Sequence, residues 1–273
     1  MKEGDCMSTH KSPIVLLRPD LAEQDEYKIC FRHFDTSFLR TECKNRLVIG
    51  RYSCLPYYLE LVHDLANINS VLINSFEQHK WISNFEWYHA LKGYTPKTWF
   101  EYEFHNCTYQ GPFIVKGCTN SRKLYWNKMM FAENKEQATH IRCELLSDSY
   151  ICTQGIVFRK YIPLETYEIG LNGLPFTNEW RFFFYKGTLL SYGYYWSIAE
   201  KTDYQCPSQA IEFACSVAKI AKNYANFFVL DVAKTQDGRW ILIEVNDGQQ
   251  SGLSENNPDT LYHNLAMAIR NES

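Results

Sequence analysis

The chain has 273 residues, 45% of them hydrophobic, and a formal net charge of −3, which allows one large or two modest globular domains and excludes a disordered chain. The near-neutral balance gives no general attraction to nucleic acid or an anionic membrane, so neither is expected as a partner. No apolar run approaches the roughly 20 residues that span a bilayer, no signal peptide is readable ahead of Arg18-Pro19-Asp20, and the 10 cysteines form no C-x-x-C pair, all of which points to reduced thiols and a cytoplasmic location.

In chain order, the first third alternates short apolar strands with amphipathic helices. Ile14 to Leu17 and Leu47 to Ile49 read as strands, followed by a helix with Tyr58, Leu61, Val62 and Leu65 on one face and a strand from Val71 to Ile73. Ser75-x-x-Gln78 reads as a capping box for one helix carrying Trp81, Ile82, Phe85, Tyr88 and Leu91, ended by Gly93. Such alternation implies a small parallel sheet with ligands beyond the carboxyl ends of its strands. Arg18, Arg51 and Asn74 stand at those ends, as carboxylate-binding groups or as helix and turn anchors.

From Thr95-Pro96 onward antiparallel β-structure prevails. Pro112 to Gly117 reads as a strand, Asn134 to Leu146 as a helix and Tyr150 to Ile162 as a long strand. A hairpin from Glu179 to Trp196 turns at Lys186-Gly187, which would put Glu179, Arg181, Tyr192 and Tyr194 on one face. Pro207 opens a helix with Ile211, Ala214, Cys215, Ala218 and Ala221 inward, and a last helix runs from about Pro258 to Ile269. The chain therefore reads as α/β, or more closely α+β.

The densest chemistry lies between Phe227 and Asp247. Asp237-Gly238 fits a two-residue type I′ turn, and with that turn Asp231 faces Glu244 and Val229 faces Asn246. Opposed carboxylates, with Cβ atoms roughly 4.5–5.5 Å apart, repel. Either the face is solvated or something positive holds it, and two carboxylates with an amide oxygen suit Mg²⁺ bound together with phosphates. Lys116 leaves its strand into Gly117-Cys-Thr-Asn-Ser-Arg-Lys123, a loop able to bring charge and donors to phosphate oxygens, although it is not a P-loop. Arg159 and Arg181 sit in apolar strands, where a guanidinium needs an anion, whether Glu179, Glu165 or a ligand. The histidines show no zinc spacing and no serine or cysteine sits in a nucleophile elbow.

Lys116 followed by Asp231, Glu244 and Asn246 on late strands resembles the ATP-grasp superfamily. Val157-Phe-Arg-Lys-Tyr-Ile162 and Glu179-Trp-Arg181 are similar to its clade named for two arginines and a lysine, which includes phage and bacterial proteins and the eukaryotic assembly chaperones of translation initiation factor two. Lys116-Gly-x-Thr-Asn-Ser-Arg-Lys123, Gln154-Gly-Ile-Val, Asn178-Glu-Trp-Arg181 and Gly193-Tyr-Tyr-Trp196 look like the phage and bacterial members.

The resemblance implies a pre-ATP-grasp α/β domain at 1–93 and two subdomains, 94–170 and 171–273, that clamp ATP. It places Mg²⁺ on Asp231, Glu244 and Asn246, the phosphates on Lys116, Asn120, Ser121, Arg122 and Lys123, and the adenine along the backbone of Lys160, Tyr161 and Ile162. Arg159, Arg181 and Lys116 become the catalytic charges, and Lys97 a second nucleotide lysine. The implied activity is a carboxylate–amine ligase that forms an acyl phosphate and releases ADP and phosphate, with small-molecule or peptide substrates. The alternative is an ATP-binding assembly factor for a protein partner with little turnover. Two departures stand out: Arg159-Lys160 replaces the ribose-contacting glutamate of many ligases, and a polar loop replaces the glycine-rich one.

Overall fold

The computed structural model describes residues 11–18 and 24–272, so Cys6 and His10 lie outside the described residues. The chain divides into two compact units, Met1–Phe76 with Pro258–Ser273, and Glu77–Asn257.

The first unit contains β1 (Pro13–Leu17), α1 (Gln24–His33), β2 (Asp35–Ser37), β3 (Leu47–Arg51), α2 (Tyr58–Ala66) and β4 (Val71–Leu72), with the helix Pro258–Arg270 packed into the same unit. Its strands form a parallel sheet in the order β2-β1-β3-β4, as the alternation of short apolar runs predicts; α1 and β2 carry no such apolar signal. Arg51, at the carboxyl end of β3, is buried and donates through Nε to Glu26 Oε1 and to the Tyr262 hydroxyl, each at 2.8 Å. It acts as an anchor between β3, α1 and the last helix. Arg18 is exposed with its guanidinium 6.0 Å from the Tyr52 ring centre, and Asn74 is buried with its carbonyl accepting from the Tyr58 hydroxyl at 2.8 Å.

From Glu77 onward the second unit carries all but the first residue of α3 (Phe76–Ser83), and then α4 (Trp87–Leu91). The sequence predicts one helix here, and the structure breaks it at Phe85, whose φ is 64°. A left-handed aromatic residue ends the helical repeat, and the break carries the Phe85 ring fully into the core against Trp87. There follow β5 (Thr98–Phe100), α5 (Glu101–Phe104), β6 (Phe113–Gly117), α6 (Trp126–Met129), β7 (Phe131–Ala132), α7 (Lys135–Leu146) and β8 (Ile156–Lys160). They form an antiparallel sheet in the order β5-β8-β6-β7, with α7 packed on β6 and the Asn134 side chain capping α7 at Gln137 N, 2.9 Å. The long strand expected from Tyr150 starts only at Ile156, because residues 148–155 turn away to grip a neighbouring loop.

A small hairpin, β9 (Thr166–Ile169) with β10 (Pro175–Thr177), leads to the second sheet of this unit: β11 (Glu179–Tyr185), β12 (Thr188–Tyr194), α8 (Ser208–Ala221), β13 (Phe227–Lys234) and β14 (Trp240–Asp247). Strand order is β12-β11-β13-β14, all antiparallel. On one face Trp180, Phe182, Phe184, Phe228, Leu230 and Val232 join Ala210, Ala214, Val217, Ala218 and Ala221 of α8 in the core. The alternation of strand side chains then forces Glu179, Arg181 and Asp231 onto the other face.

Both hairpins of this sheet depart from the expected register. Lys186-Gly187 is the predicted turn, with φ of 47° and 84°, but a bulge between Phe183 and Phe184 sets Arg181 opposite Gly193 and Phe182 opposite Tyr192. Tyr192 and Tyr194 therefore lie with Phe182 and Trp180 on the core face, not with Arg181. At the other hairpin, Thr235 N donates to Arg239 O, so the loop is the three residues Gln236-Asp237-Gly238, with Gly238 at φ 87°. A bulge between Asp231 and Val232 leaves Ile243 without a partner across the ladder and restores Asp231 opposite Glu244 and Val229 opposite Asn246.

Candidate active site

Between the two sheets of residues 77–257 lies a cavity of about 120 Å³ whose walls include Lys116, Ser121, Lys123, Arg159, Lys160, Tyr161, Ile162, Glu179 and Glu244. Part of its wall is apolar, with Ile114, Trp126, Met130, Leu164, Leu174 and Ile241, and part is charged.

Lys116, from β6, and Glu244, from β14, meet there in an ion pair whose side chains are 6% and 14% exposed. Burial works against the charge of Glu244, yet Lys116, joined by Lys123 and Asn246, more than offsets it and holds the carboxyl below its usual range. Arg181 grips Asp231 with Nε and Nη2, each bond 2.8 Å, and its Nη1 donates to Gly252 O at 2.8 Å. Asn246 Nδ2 donates to Asp231 Oδ2 at 3.1 Å. Asp231, Glu244 and Asn246 thus share a face as the hairpin predicts, with two cations of the chain beside them.

Arg159 differs from the other cations. It is 5% exposed, and its donors go to Ile243 O at 2.7 Å, Thr95 Oγ1 at 2.7 Å and Thr98 Oγ1 at 3.4 Å. No carboxylate is among its hydrogen-bond partners, and burial lowers its pKa to about 10, opposed by Glu244. Two small features deliver these acceptors. The bulge frees the Ile243 carbonyl, and Leu242 binds Tyr94 and Thr95 along the outer edge of β14 through Leu242 N to Tyr94 O, 2.8 Å, and Thr95 Oγ1 to Leu242 O, 2.7 Å. The Phe85 ring lies 5.9 Å from Lys116 Nζ and 5.5 Å from the Arg159 guanidinium. Neither Glu179 nor Glu165, the partners the sequence offered these arginines, pairs with either: Glu165 pairs with Lys234 at 2.9 Å.

The polar loop splits. Ser121 and Lys123 line the cavity; Lys123 Nζ donates to the Tyr195 hydroxyl and itself lies 5.3 Å from the Trp196 ring centre. Arg122 faces elsewhere, bound at 2.7 and 2.6 Å by Asp148, and Asn120 Oδ1 meets the Tyr150 hydroxyl at 3.4 Å. Of the proposed adenine-contacting backbone, the Lys160 and Tyr161 amides already donate to Lys97 O and Pro112 O, at 2.8 and 2.9 Å. Lys97 is exposed, 5.0 Å from the Trp99 ring centre and outside the cavity wall.

Sequence reasoning missed four contributors: Thr95, Tyr195, the Ile243 carbonyl and the Glu179 carboxyl as a cavity group. Burial and nearby Asp231 push Glu179 up to about 7, while Lys123 and a bond from Thr177 Oγ1, 3.1 Å, pull it down. Two of them carry a readable signal: period-two alternation puts Glu179 on the face of Arg181, and Tyr195 lies within the Gly193-Tyr-Tyr-Trp196 run.

A family model described as ATP-grasp domain, family 3 of the two-arginine-one-lysine clade (R2K_3), matches residues 103–265. The chain belongs to that ATP-grasp family. None of the curated proteins compared with it matches. Among solved structures, D-cycloserine synthetase DcsG superposes with a TM-score of 0.60 at 11% identity, over 95% of this chain and 99% of that one. D-alanyl-alanine synthetase A from Vibrio cholerae gives 0.57 at 13%, over 96% and 98%. The ATP-grasp ligase PsnB, complexed with the precursor peptide PsnA2 and AMPPNP, gives 0.56 at 10%, over 96% and 98%. These likenesses establish the ATP-grasp fold. No helix among the described residues is long and apolar enough to cross a membrane.

Proposed function

We propose that this ATP-grasp protein is an ATP- and Mg²⁺-dependent carboxylate–amine ligase, with the two sheets of residues 77–257 as the halves of the nucleotide clamp. The observation that carries the reading is Arg159, a buried cation with only neutral acceptors, in the wall of one cavity with Lys116 and Lys123. A buried charge without a counter-charge is costly, and a polyphosphate entering the cavity would supply one.

On this reading the apolar part of the wall takes the adenine, Lys116, Ser121 and Lys123 hold the phosphates, and Arg159 with Arg181 stabilises the charge that builds up on the transferring phosphoryl group and the acyl phosphate. The carboxylate oxygen attacks the γ-phosphorus, ADP leaves, and the amine then displaces phosphate from the acyl carbon. No side chain need act as a nucleophile, because position and charge suffice.

The donors at Asp231, Glu244 and Asn246 fit Mg²⁺ by chemistry: an all-oxygen set whose Glu244 carboxyl is held ionised. In its bound state the ion would supply Lewis-acid stabilisation of phosphate charge. The carboxylates are at present matched by Lys116 and Arg181, so phosphates that draw those cations away would free oxygens for the metal.

DcsG and D-alanyl-alanine synthetase A support a ligase, and the peptide complex of PsnB supports a peptide among the substrate classes. The test is to supply Mg-ATP with a panel of amino acids and peptides and follow the nucleotide. ADP and phosphate formed with an amide product are expected; AMP and pyrophosphate would overturn the reading.

A further inference from the structure

Gln154 lies in the turn between α7 and β8 and lines no part of the cavity. Its side-chain oxygen nevertheless accepts three hydrogen bonds from the polar loop: Thr119 N at 3.0 Å, Thr119 Oγ1 at 2.8 Å and Asn120 N at 3.1 Å. The surrounding turn grips the same loop, through Cys118 N to Gly155 O at 2.8 Å and Asp148 on Arg122. Gly117 belongs to the fit. A Cβ at Gly117 would lie 2.6 Å from Gln154 Oε1 and 3.0 Å from Ile151 Cγ2, so only a residue without a side chain lets the oxygen come this close.

The consequence concerns which loop groups face the ligand. A phosphate loop of the usual kind turns its backbone amides toward the anion. Here the amides of Thr119 and Asn120 turn to Gln154 instead, and Ser121 and Lys123 are the loop groups on the cavity.

We infer that Gln154 is a positioning residue for polyphosphate recognition, its carboxamide oxygen holding the loop in the arrangement that sets Ser121 and Lys123 against the cavity. The inference rests on the nucleotide reading above and adds to it a residue that touches neither ligand nor metal. Removing the acceptor strands two amides and a hydroxyl, and the loop must rearrange to satisfy them. On the reading above the base sits against the apolar part of the wall and the phosphates against Lys116, Ser121 and Lys123, so the effect belongs to the phosphates beyond the first.

Calorimetric titration of wild type, Gln154→Leu and Thr119→Val with Mg-ATP and with AMP, alongside thermal unfolding, tests it. Gln154→Leu removes the acceptor at similar volume, and Thr119→Val removes one donor while keeping the fold less perturbed. ATP binding should weaken about tenfold or more in Gln154→Leu and about threefold in Thr119→Val, while AMP binding changes less than about twofold in both. Equal losses for ATP and AMP would mark a general structural role and overturn the inference, as would wild-type ATP affinity in Gln154→Leu. Should Gln154→Leu fail to fold, Thr119→Val decides by the same comparison. Absence of ATP binding in the wild type would remove the proposed function and this inference with it, whereas tight wild-type binding with unaffected variants removes only the inference.

Discussion

Arg159→Met should leave the protein about as stable as before, whereas Arg181→Met should not. Burial lowers the Arg159 pKa from 12.5 to about 10, which corresponds to about 3 kcal/mol at roughly 1.36 kcal/mol per pKa unit, and methionine carries no such penalty. Against that gain, the Ile243 carbonyl and the Thr95 and Thr98 hydroxyl oxygens lose a donor, together about 1–3 kcal/mol, since both hydroxyls keep the bonds they donate, to Leu242 O and Pro96 O. The two nearly cancel, so the Tm should stay within about 4 °C of wild type, taking about 2–4 °C per kcal/mol for a unit of this size. Arg181 is in the opposite situation, because its loss leaves Asp231, 0% exposed, without the guanidinium that grips both its oxygens. Breaking such a buried pair costs about 3–5 kcal/mol, hence a fall of about 6 °C or more. Both variants should lose Mg-ATP turnover. Thermal unfolding at pH 7 followed by circular dichroism separates them. Arg159→Met falling as far as Arg181→Met would refute the idea that the Arg159 charge serves a ligand and not the fold.

Glu244→Gln leaves Lys116 buried without its carboxylate and should cost about 3–5 kcal/mol, while Lys116→Met with Glu244→Gln should recover most of it; equal stability of the single and double variants in urea would contradict a coupled pair. Because burial holds the Glu179 carboxyl at about 7 against its ordinary 4.5, the folded protein keeps that proton longer than the unfolded chain. Stability should therefore decline as pH rises from 4.5 through 7, and Glu179→Gln should flatten the decline in a series of Tm measurements. Gly238→Ala meets no neighbour within 4 Å but sits at φ 87°, so it should cost about 1 kcal/mol through backbone strain alone, with ligation rates unchanged.

What was legible in the sequence was the part that local pattern controls. Apolar alternation located the parallel sheet of the first unit, the hairpin strands and α8, and the spacing around Asp237-Gly238 brought Asp231 to Glu244 despite the wrong turn, because one extra loop residue and one extra strand residue cancel. Where a single bulge went unbalanced, as between Phe183 and Phe184, Tyr192 and Tyr194 came out on the wrong face. Bulges carry no side-chain signature when their residues are ordinary β-formers. Phe85 failed for a related reason: an aromatic at helical spacing continues the pattern of Trp81 and Leu91, and only packing beneath Lys116 and Arg159 selects its left-handed backbone. The polar loop read as one phosphate-binding unit because the sequence shows which donors are present but not which way they turn. Its Arg122 is claimed by Asp148, 26 residues further on.

The bulge at Ile243 makes the hairpin and the cation site a single inheritable unit. Re-registering the hairpin on a two-residue Asp237-Gly238 turn, with Gln236 drawn into the strand, would let the strands pair without an extra residue, and the Ile243 carbonyl would then return to the ladder and be lost to Arg159. Grafting the acidic hairpin onto another ATP-grasp scaffold therefore means transplanting its loop length as well as Asp231, Glu244 and Asn246. A designer who copied only those three side chains would keep the acids and misplace the arginine.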